Sequence, residues 1–254
     1  MTLLAERTTT DAAADLDAAE VAVVPTGSTE QHGPALPLGM DHMAAQAFAR
    51  SAADRDDTVV LPTIPVGVSV HHRQFDGTLY VSAETFEQYV EETIASLAEH
   101  GVRKAVVVNG HGGNSGALRR AARTLRDEET AFAPPWNWWD SVEDVAADLF
   151  DEDGGHADAM ESSLLWHIRD DLVQPDELEA AEAGASESWG ESVHGAALGF
   201  DTIDFSESGA VGRPTQADPE KGEALFEAGA DQLDALLDWL AAQPLEDCWA
   251  RAHK

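Results

Sequence analysis

The chain has 254 residues, enough for one large domain with a sizeable core, and its apolar content of 43% is ordinary for a globular protein. Its 48 aspartate and glutamate residues outnumber its 15 lysine and arginine residues, which gives a formal net charge of −33. A field of that sign repels nucleic acid and anionic membrane surfaces, so we expect neither as a partner.

The acidic residues are spread along predicted helices rather than gathered in a tail. This distribution favours a protein adapted to high salt over a disordered acidic chain, because counterions then screen the self-repulsion. The single cysteine, Cys248, excludes intrachain disulfides and thiolate metal clusters and fits a reducing cytoplasm. Because neither a secretory signal nor a membrane-length apolar run is visible, the sequence predicts a soluble cytoplasmic protein.

Predicted strands and helices alternate along the chain after an alanine-rich lead-in over residues 1–20. The predicted strands are Val21–Pro25, Val59–Val66, Lys104–Val108 and an irregular extended stretch over Ala131–Trp139. The predicted helices are Asp41–Arg55, Ser82–His100, Asn114–Arg126, His156–Arg169 and Asp218–Ala242. Residues 176–198 are predicted to be a long acidic loop, within an active-site or interface excursion over residues 176–213.

This order of elements predicts an α/β fold, a single domain over residues 1–254 with a mostly parallel sheet and helices on both faces. In such sheets, ligands bind at the carboxyl ends of the strands. Polar side chains follow two of the predicted strands at that end, namely Glu30, Gln31, His32 and Asp41 after the first and Asn109–Asn114 after the third. Carboxylates and imidazoles from separate strand ends predict a divalent metal site.

The spacing within these groups suggests which side chains can meet. Glu30 and His32 lie two residues apart, so in an extended continuation of the strand both point to one side, although a solvated loop would also contain them. Asp41 could bridge two metals through both of its oxygens, and it could equally be an N-cap. His156 and Glu161 are about 140° apart around a helix, so we expect His156 in the preceding loop, where it could also cap the helix, and Glu161 in the first turn.

The glycine-rich stretch around His111 has two interpretations. Its glycines allow a close approach of the backbone, which suits a metal ligand placed beside a substrate. Residues 110–115 also come close to a dinucleotide-binding fingerprint, with Ser115 in place of its third glycine. A non-hydrolytic nucleotide-binding module, whose binding would survive chelation, is therefore the alternative hypothesis.

These stretches together resemble the creatininase (creatinine amidohydrolase) family. The matching segments are Gly27–Gly33, Leu36–Gly39 with Asp41, Asn109–Asn114, and His156–Ala157 with Glu161–Ser163, and lesser matches lie at Phe75–Thr78 and Gly209–Gly212. They occur in the family's order over roughly residues 20–230. The resemblance implies an α/β fold with a two-metal site, usually in a homohexamer or another ring-like homo-oligomer.

The resemblance also implies roles for individual residues. By position, the implied metal ligands are Glu30, His32, Asp41 and His111, with Asp41 bridging, and the implied catalytic histidine is His156. Creatininase takes a further glutamate ligand from the loop after the matched histidine, at the position of Gly113 here. In members with the Gly-Gly form of this loop, the glutamate at the position of Glu161 is the implied replacement.

The Gly-Gly form is similar to archaeal-type deformylases of formylaminopyrimidine nucleotides and to members that act on peptide-derived substrates. The residues that would border the substrate are Gly112, Gly113, Asn114, His72 and Arg73. A phosphorylated substrate would need cations near the site, and the candidates for these are His71, His72, Arg73 and Arg213.

The resulting hypothesis is a metal-dependent amidohydrolase that cleaves a non-peptide C–N bond of a small cyclic amide or formamide, such as a creatinine-like compound or a formylaminopyrimidine nucleotide. Two divalent ions would hold a bridging hydroxide, and His156 would donate a proton to the leaving nitrogen or stabilise the oxyanion. Zn²⁺, Mn²⁺ and Fe²⁺ all suit mixed carboxylate and imidazole ligands.

Overall fold

A parallel sheet covered by helices forms the centre of the structure, a computed structural model in which residues 2–151 and 155–252 are described. The strands are β1 (Val21–Thr26), β2 (Thr58–Val60), β3 (Ala105–Asn109), β4 (Pro135–Asn137), β5 (Ser192–Val193) and β6 (Ala196–Ala197). The helices are α1 (Thr9–Ala18), α2 (Met40–Ser51), α3 (Ala83–Ala98), α4 (Ser115–Asp127), α5 (Trp138–Ser141), α6 (Glu143–Leu149), α7 (Ala159–Ile168), α8 (Leu178–Ala183), α9 (Pro219–Ala242) and α10 (Leu245–Cys248).

The strand order of the main sheet is β2-β1-β3-β4, and each neighbouring pair is parallel. Successive residues of a strand point to opposite faces, so the valine-rich strands supply two separate cores. Val23 and Val106 pack with α2, α7 and α9 on one face, whereas Val24 and Val107 pack with α3 and α4 on the other. The prediction of an α/β fold with a mostly parallel sheet and helices on both faces is confirmed.

Two of the predicted helix starts are confirmed by their capping bonds. The Ser82 side chain accepts a hydrogen bond from the Thr85 backbone N–H at 3.2 Å, and α3 begins at the next residue. The Asp218 side chain accepts from the Glu220 backbone N–H at 2.7 Å, and Pro219 occupies the first position of α9. Local side-chain chemistry therefore determines where these helices begin.

Two predicted strands are shorter than expected. β2 ends at Val60, since the prolines at 62 and 65 have no backbone N–H for a ladder, and Ile64 contributes only an isolated bridge to Thr26. The extended stretch predicted over 131–139 contains only the three residues of β4, and the chain then turns into α5.

The prediction of a loop over residues 176–198 is wrong, because the segment contains α8 and the antiparallel hairpin of β5 and β6. Leu178 and Ala181 of α8 are buried together against Ala35, which gives this short acidic helix an apolar face. Within the described ranges, none of the helices combines the length and apolar character that a membrane crossing requires.

Helix α7, which carries Glu161, is held against α9 by a close backbone approach. A Cβ atom added at Gly222 of α9 would collide with the backbone carbonyl oxygen of Ser163 in α7. We therefore expect Gly222→Ala to lower the free energy of unfolding by about 1–3 kcal/mol, although alanine favours helix. Denaturant unfolding at fixed salt measures this change.

Gly116→Ala in α4 is the matched control, because its nearest neighbouring atom would be Arg120 Nη1 at 3.7 Å. We expect that variant to be neutral or to gain up to about 1 kcal/mol from helix propensity. Equal changes in the two variants would contradict the close approach of α7 and α9.

Candidate metal centre

The carboxyl ends of β1 and β3 and the start of α7 bring the six predicted ligand and catalytic residues together. These residues are Glu30 and His32 in the turn after β1, Asp41 in the first turn of α2, His111 after β3, His156 in the loop before α7, and Glu161 in the first turn of α7. The cluster is buried, and only the Glu161 side chain, which is 12% exposed, is partly accessible. The ends of parallel strands and the first turns of two helices thus converge on a single site.

Two triads of possible metal ligands share the carboxylate of Asp41. One comprises Glu30, Asp41 and His111, the other comprises His32, Asp41 and Glu161, and within each triad the ligand atoms lie within 4.8 Å of one another. Asp41 Oδ1 is 3.0 Å from His32 Nε2, while Oδ2 is 3.2 Å from His111 Nδ1. Each oxygen therefore faces a different triad, as a bridging carboxylate requires. The helix cap of α2 is Gly39, so Asp41 is free of the N-cap role considered for it.

Three imidazoles present one ring nitrogen to the carboxylates and give the other to a backbone carbonyl. The outer contacts are His32 Nδ1 to Glu30 O at 3.1 Å, His111 Nε2 to Val68 O at 3.1 Å, and His156 Nε2 to Gln31 O at 2.8 Å. A carbonyl oxygen can only accept, so the outer nitrogen carries the hydrogen and the inner one presents a lone pair when the ring is neutral. Metal-ligating histidines are commonly oriented in this way.

The carboxylates lack the partners that buried charges need. Within the described part of the chain, both oxygens of Glu30 and Oδ2 of Asp41 are buried without a hydrogen-bond partner. Burial lowers the pKa of His32, but the carboxylates of Asp41, Glu161 and Glu30 outweigh it and raise that pKa to about 10. Burial also lowers the pKa of His111, but the carboxylates of Glu30 and Asp41 outweigh it and raise that pKa well above its ordinary value. Such a donor set calls for positive charge and fits divalent cations.

His156 behaves differently from the other two imidazoles. Burial, reinforced by the rings of His32 and His72, holds its pKa well below the ordinary value, so the ring is neutral. Its Nδ1 lies 3.8 Å from Glu30 Oε1 and 3.9 Å from Glu161 Oε2. With Glu30 and His32, it forms a third group of possible ligands. The ring is therefore placed to accept a hydrogen at the edge of the cluster.

Glu161 is oriented by the turn that begins α7. Its Oε2 accepts a hydrogen bond from the Ala157 backbone N–H at 2.6 Å and lies 3.6 Å from His32 Nε2. Ala157 has a φ of +49°, a left-handed conformation that is uncommon for alanine. Burial, together with the neighbouring carboxylates, raises the pKa of Glu161 to about 8.

A pocket of 350 Å³ opens onto the cluster. Gly112, Gly113 and His72, three of the residues expected from sequence to lie beside the substrate, line it together with His71. A further wall comes from the 176–213 excursion and consists of Trp189, Gly199, Phe200, Thr202 and Phe205. These aromatic residues were not predicted, and their only sequence signal is large apolar side chains within an otherwise polar, glycine-rich segment.

Two residues that were predicted to bind substrate, Asn114 and Arg73, are not among the residues that line the pocket. Asn114 is buried, where its Oδ1 accepts from the Val68 backbone N–H at 2.9 Å and its Nδ2 donates to Gly27 O at 3.1 Å. Arg73 forms a 2.6 Å ion pair with Asp201. Asn114 thus holds two loops together, and the charge of Arg73 is compensated by that aspartate.

The glycine loop does not favour the alternative of a nucleotide-binding module. Residues 112–114 form one 3₁₀ turn before α4, and the preceding His111 extends towards Glu30 and Asp41 at 3.2 Å. A phosphate at this loop would lie beside carboxylates, which repel it.

Comparison with known proteins places this chain in a family. Residues 5–237 match the protein-family model described as creatinine amidohydrolase (Creatininase). The chain is 36% identical over 213 residues to the mycofactocin precursor peptide peptidase of Mycolicibacterium smegmatis, and this alignment covers 80% of this chain and 78% of that protein. It is 29% identical over 174 residues to the creatinine amidohydrolase of Pseudomonas putida, and this alignment covers 61% of this chain and 67% of that protein.

Solved structures show the same fold. A creatinine amidohydrolase (creatininase) structure matches 96% of this chain and 99% of its own with a TM-score of 0.82 at 24% identity. A manganese creatininase and a mutant creatininase of Zn–Zn type each match 94% of this chain and 98% of their own with a TM-score of 0.79 at 25% identity. Since the family model spans nearly the whole chain and a relative exceeds 30% identity over most of it, the chain belongs to the creatininase family.

Proposed function

We propose that this creatininase-family amidohydrolase uses two divalent metal ions to hydrolyse a C–N amide bond in a short peptide or peptide-derived substrate. The observation that carries the proposal is the pair of ligand triads that share Asp41. Glu30, Asp41 and His111 would hold one ion, and His32, Asp41 and Glu161 the other. Mn²⁺ and Zn²⁺ suit these ligands, and the related creatininase structures include manganese and zinc forms. When bound, such ions supply Lewis-acid polarisation of the scissile carbonyl and activation of water.

His156 is the residue of this chain that would move the proton. Its Nε2–H is held by the Gln31 backbone oxygen, so the lone pair of Nδ1 faces the cluster and the pocket. From that position Nδ1 would accept a proton from the water that attacks the carbonyl carbon, and it would return that proton to the nitrogen released as the C–N bond breaks. The ring would thus act as a base before it acts as the acid that the sequence predicts.

Charge and shape at the pocket favour a peptide-like substrate over a nucleotide. Among the described residues that line it, there is neither lysine nor arginine to receive a phosphate, while Trp189, Phe200 and Phe205 present apolar surface. The relatives named as peptide peptidases are also more similar to this chain than the creatinine amidohydrolase of Pseudomonas putida. For both reasons we extend the substrate class beyond the non-peptide amides expected from sequence.

A substrate panel tests the proposal. Metal-stripped protein is loaded with Mn²⁺ or Zn²⁺ in molar KCl and incubated with peptides that end in apolar residues, with creatinine, and with a formylaminopyrimidine nucleotide. We expect mass spectrometry to show peptide cleavage that a chelator abolishes and added metal restores, because the triads are incomplete as a catalyst without cations.

The panel separates the parts of the proposal. Turnover of creatinine or the nucleotide without peptide cleavage would contradict the substrate class while leaving a metal amidohydrolase. Peptide cleavage at full rate in metal-stripped protein would contradict the metal centre itself.

A further inference from the structure

The side chain of Gln31 is buried beside the metal centre but belongs to neither triad. Its Oε1 accepts a hydrogen bond from the Gly33 backbone N–H at 3.0 Å, and its Nε2 donates to the Gly209 carbonyl oxygen at 3.0 Å. A backbone N–H can only donate and a carbonyl can only accept, so these two contacts fix which end of the carboxamide is nitrogen.

The remaining amide hydrogen of Gln31 has one suitable acceptor. Nε2 lies 2.8 Å from His72 Nδ1 and 2.9 Å from His156 Nε2. The His156 nitrogen already carries a hydrogen, which it donates to the Gln31 backbone oxygen, so it cannot accept. The amide hydrogen therefore goes to His72 Nδ1, and neutral His72 carries its own hydrogen on Nε2. The hydroxyl of Thr202, 3.0 Å from the same Nδ1, can donate to it as well.

This hydrogen of His72 lies beside a metal ligand. His72 Nε2 lies 3.3 Å from Glu30 Oε1, a close contact that is not aligned as a hydrogen bond, and neither atom has a hydrogen-bond partner among the described residues. His72 is fully buried and belongs to none of the ligand groups. An N–H placed beside a ligating carboxylate attracts its oxygen and so favours one orientation of that carboxylate.

We propose, on the basis of the proposed metal centre, that Gln31 is a positioning residue. Its carboxamide keeps the hydrogen of His72 on Nε2, beside Glu30, and ties the ligand turn to the 176–213 excursion at Gly209. The tie is sterically tight, because a Cβ atom added at Gly209 would collide with Gln31 Oε1. The 176–213 excursion, which supplies the aromatic wall, is thereby joined to the turn that supplies Glu30 and His32.

Gln31→Glu tests the donor role, since it keeps the size of the side chain and replaces the amide donor by a carboxylate. We expect the hydrogen of His72 to move from Nε2 to Nδ1 in the metal-free protein, which ring ¹⁵N shifts of histidine-labelled protein report. The His72 signals are those missing from a His72→Asn variant. We also expect the Mn²⁺ affinity of the site that contains Glu30 to fall about 10–100-fold in calorimetry. Gln88→Glu on the exposed side of α3 is the control.

A glycine pair tests the tie from the other side. Gly209 and Gly195 have similar positive φ angles, +88° and +85°, but a Cβ at Gly195 would meet nothing within 4 Å. Gly209→Ala and Gly195→Ala therefore carry the same backbone strain, and only the first disturbs Gln31. We expect Gly209→Ala alone to weaken Mn²⁺ binding.

Unchanged His72 ring shifts in Gln31→Glu would overturn the positioning role, even if affinity fell, because a loss of packing alone moves no hydrogen. Equal Mn²⁺ affinities in the two alanine variants would overturn the tie to the 176–213 excursion. Neither measurement uses a substrate, so an incorrect substrate class leaves both results meaningful.

Discussion

Asp41→Asn is expected to release both metal ions and to lower peptide hydrolysis by far more than the ~10–100-fold that loss of an outer-shell partner costs. The side chain belongs to both triads, and its two oxygens face His32 and His111 separately. An asparagine offers one oxygen and no charge, so it cannot serve both ions. Metal analysis after dialysis, together with the rate of peptide cleavage, measures the effect.

His111→Ala is the informative comparison, because it removes a ligand from one triad and leaves His32, Asp41 and Glu161 intact. We expect that variant to lose one metal ion per chain and its hydrolytic activity, while its circular dichroism spectrum shows that the fold is retained. Asp218→Asn, which preserves the cap of α9, controls for the change of an aspartate to an amide. Retention of two ions per chain in Asp41→Asn would show that Asp41 is not the bridge.

The location of this site could be predicted from sequence because it depends on strand order and local pattern. Apolar runs at 21–25 and 104–108 predict buried parallel strands, and polar residues that follow such strands meet at one edge of the sheet. The turn after β1 and the loop after β3 are adjacent because their strands pair from Ala22 to Thr26 with Ala105 to Asn109.

The finer geometry could not be predicted, because it depends on contacts between distant segments. Which oxygen of Asp41 faces which imidazole depends on how α2 packs against the ends of β1 and β3. The orientation of the Glu161 side chain depends on the left-handed backbone conformation of Ala157, which is uncommon for alanine and could not be expected from sequence. The position of the aromatic wall could likewise not be predicted, since Trp189 and Phe205 follow no helical or strand period and are positioned by the excursion.

The metal-free protein is expected to lose stability as pH rises from 6.5 to about 10, whereas the metal-loaded protein is not. The pKa of His32 in the folded state is raised to about 10, and that of His111 is also raised well above its ordinary value. A group with a raised folded-state pKa stabilises the fold fully below its unfolded value of 6.5, and this contribution is lost as pH rises through the folded value. Glu161, with a pKa raised to about 8, changes stability in the same direction.

The groups with lowered pKa values do not cancel this trend. The pKa values of His72 and His156 lie below 6.5, so their contributions are complete by about pH 7.5, early in the window. Burial raises the pKa of Asp41, but the neighbouring His32 outweighs it and lowers that pKa to about 2, so this contribution is complete before the window begins. Each extra proton held by the folded state costs about 1.4 kcal/mol per pH unit, or roughly 3–5 °C in melting temperature for a chain of this size. Bound cations would replace those protons and remove the slope.

Calorimetric melting of chelator-treated and Mn²⁺-loaded protein from pH 6.5 to 9.5, at constant molar KCl, measures the difference. We expect the melting temperature to fall with pH only in the metal-free form, so that the gap between the two forms widens. His100→Ala is the control, because it removes an exposed histidine outside the ligand cluster. We expect this variant to keep the wild-type dependence of melting temperature on pH. Parallel melting curves for the two forms would mean that cations and protons do not compete for this cluster, and the assignment of His32 and His111 as metal ligands would then be wrong.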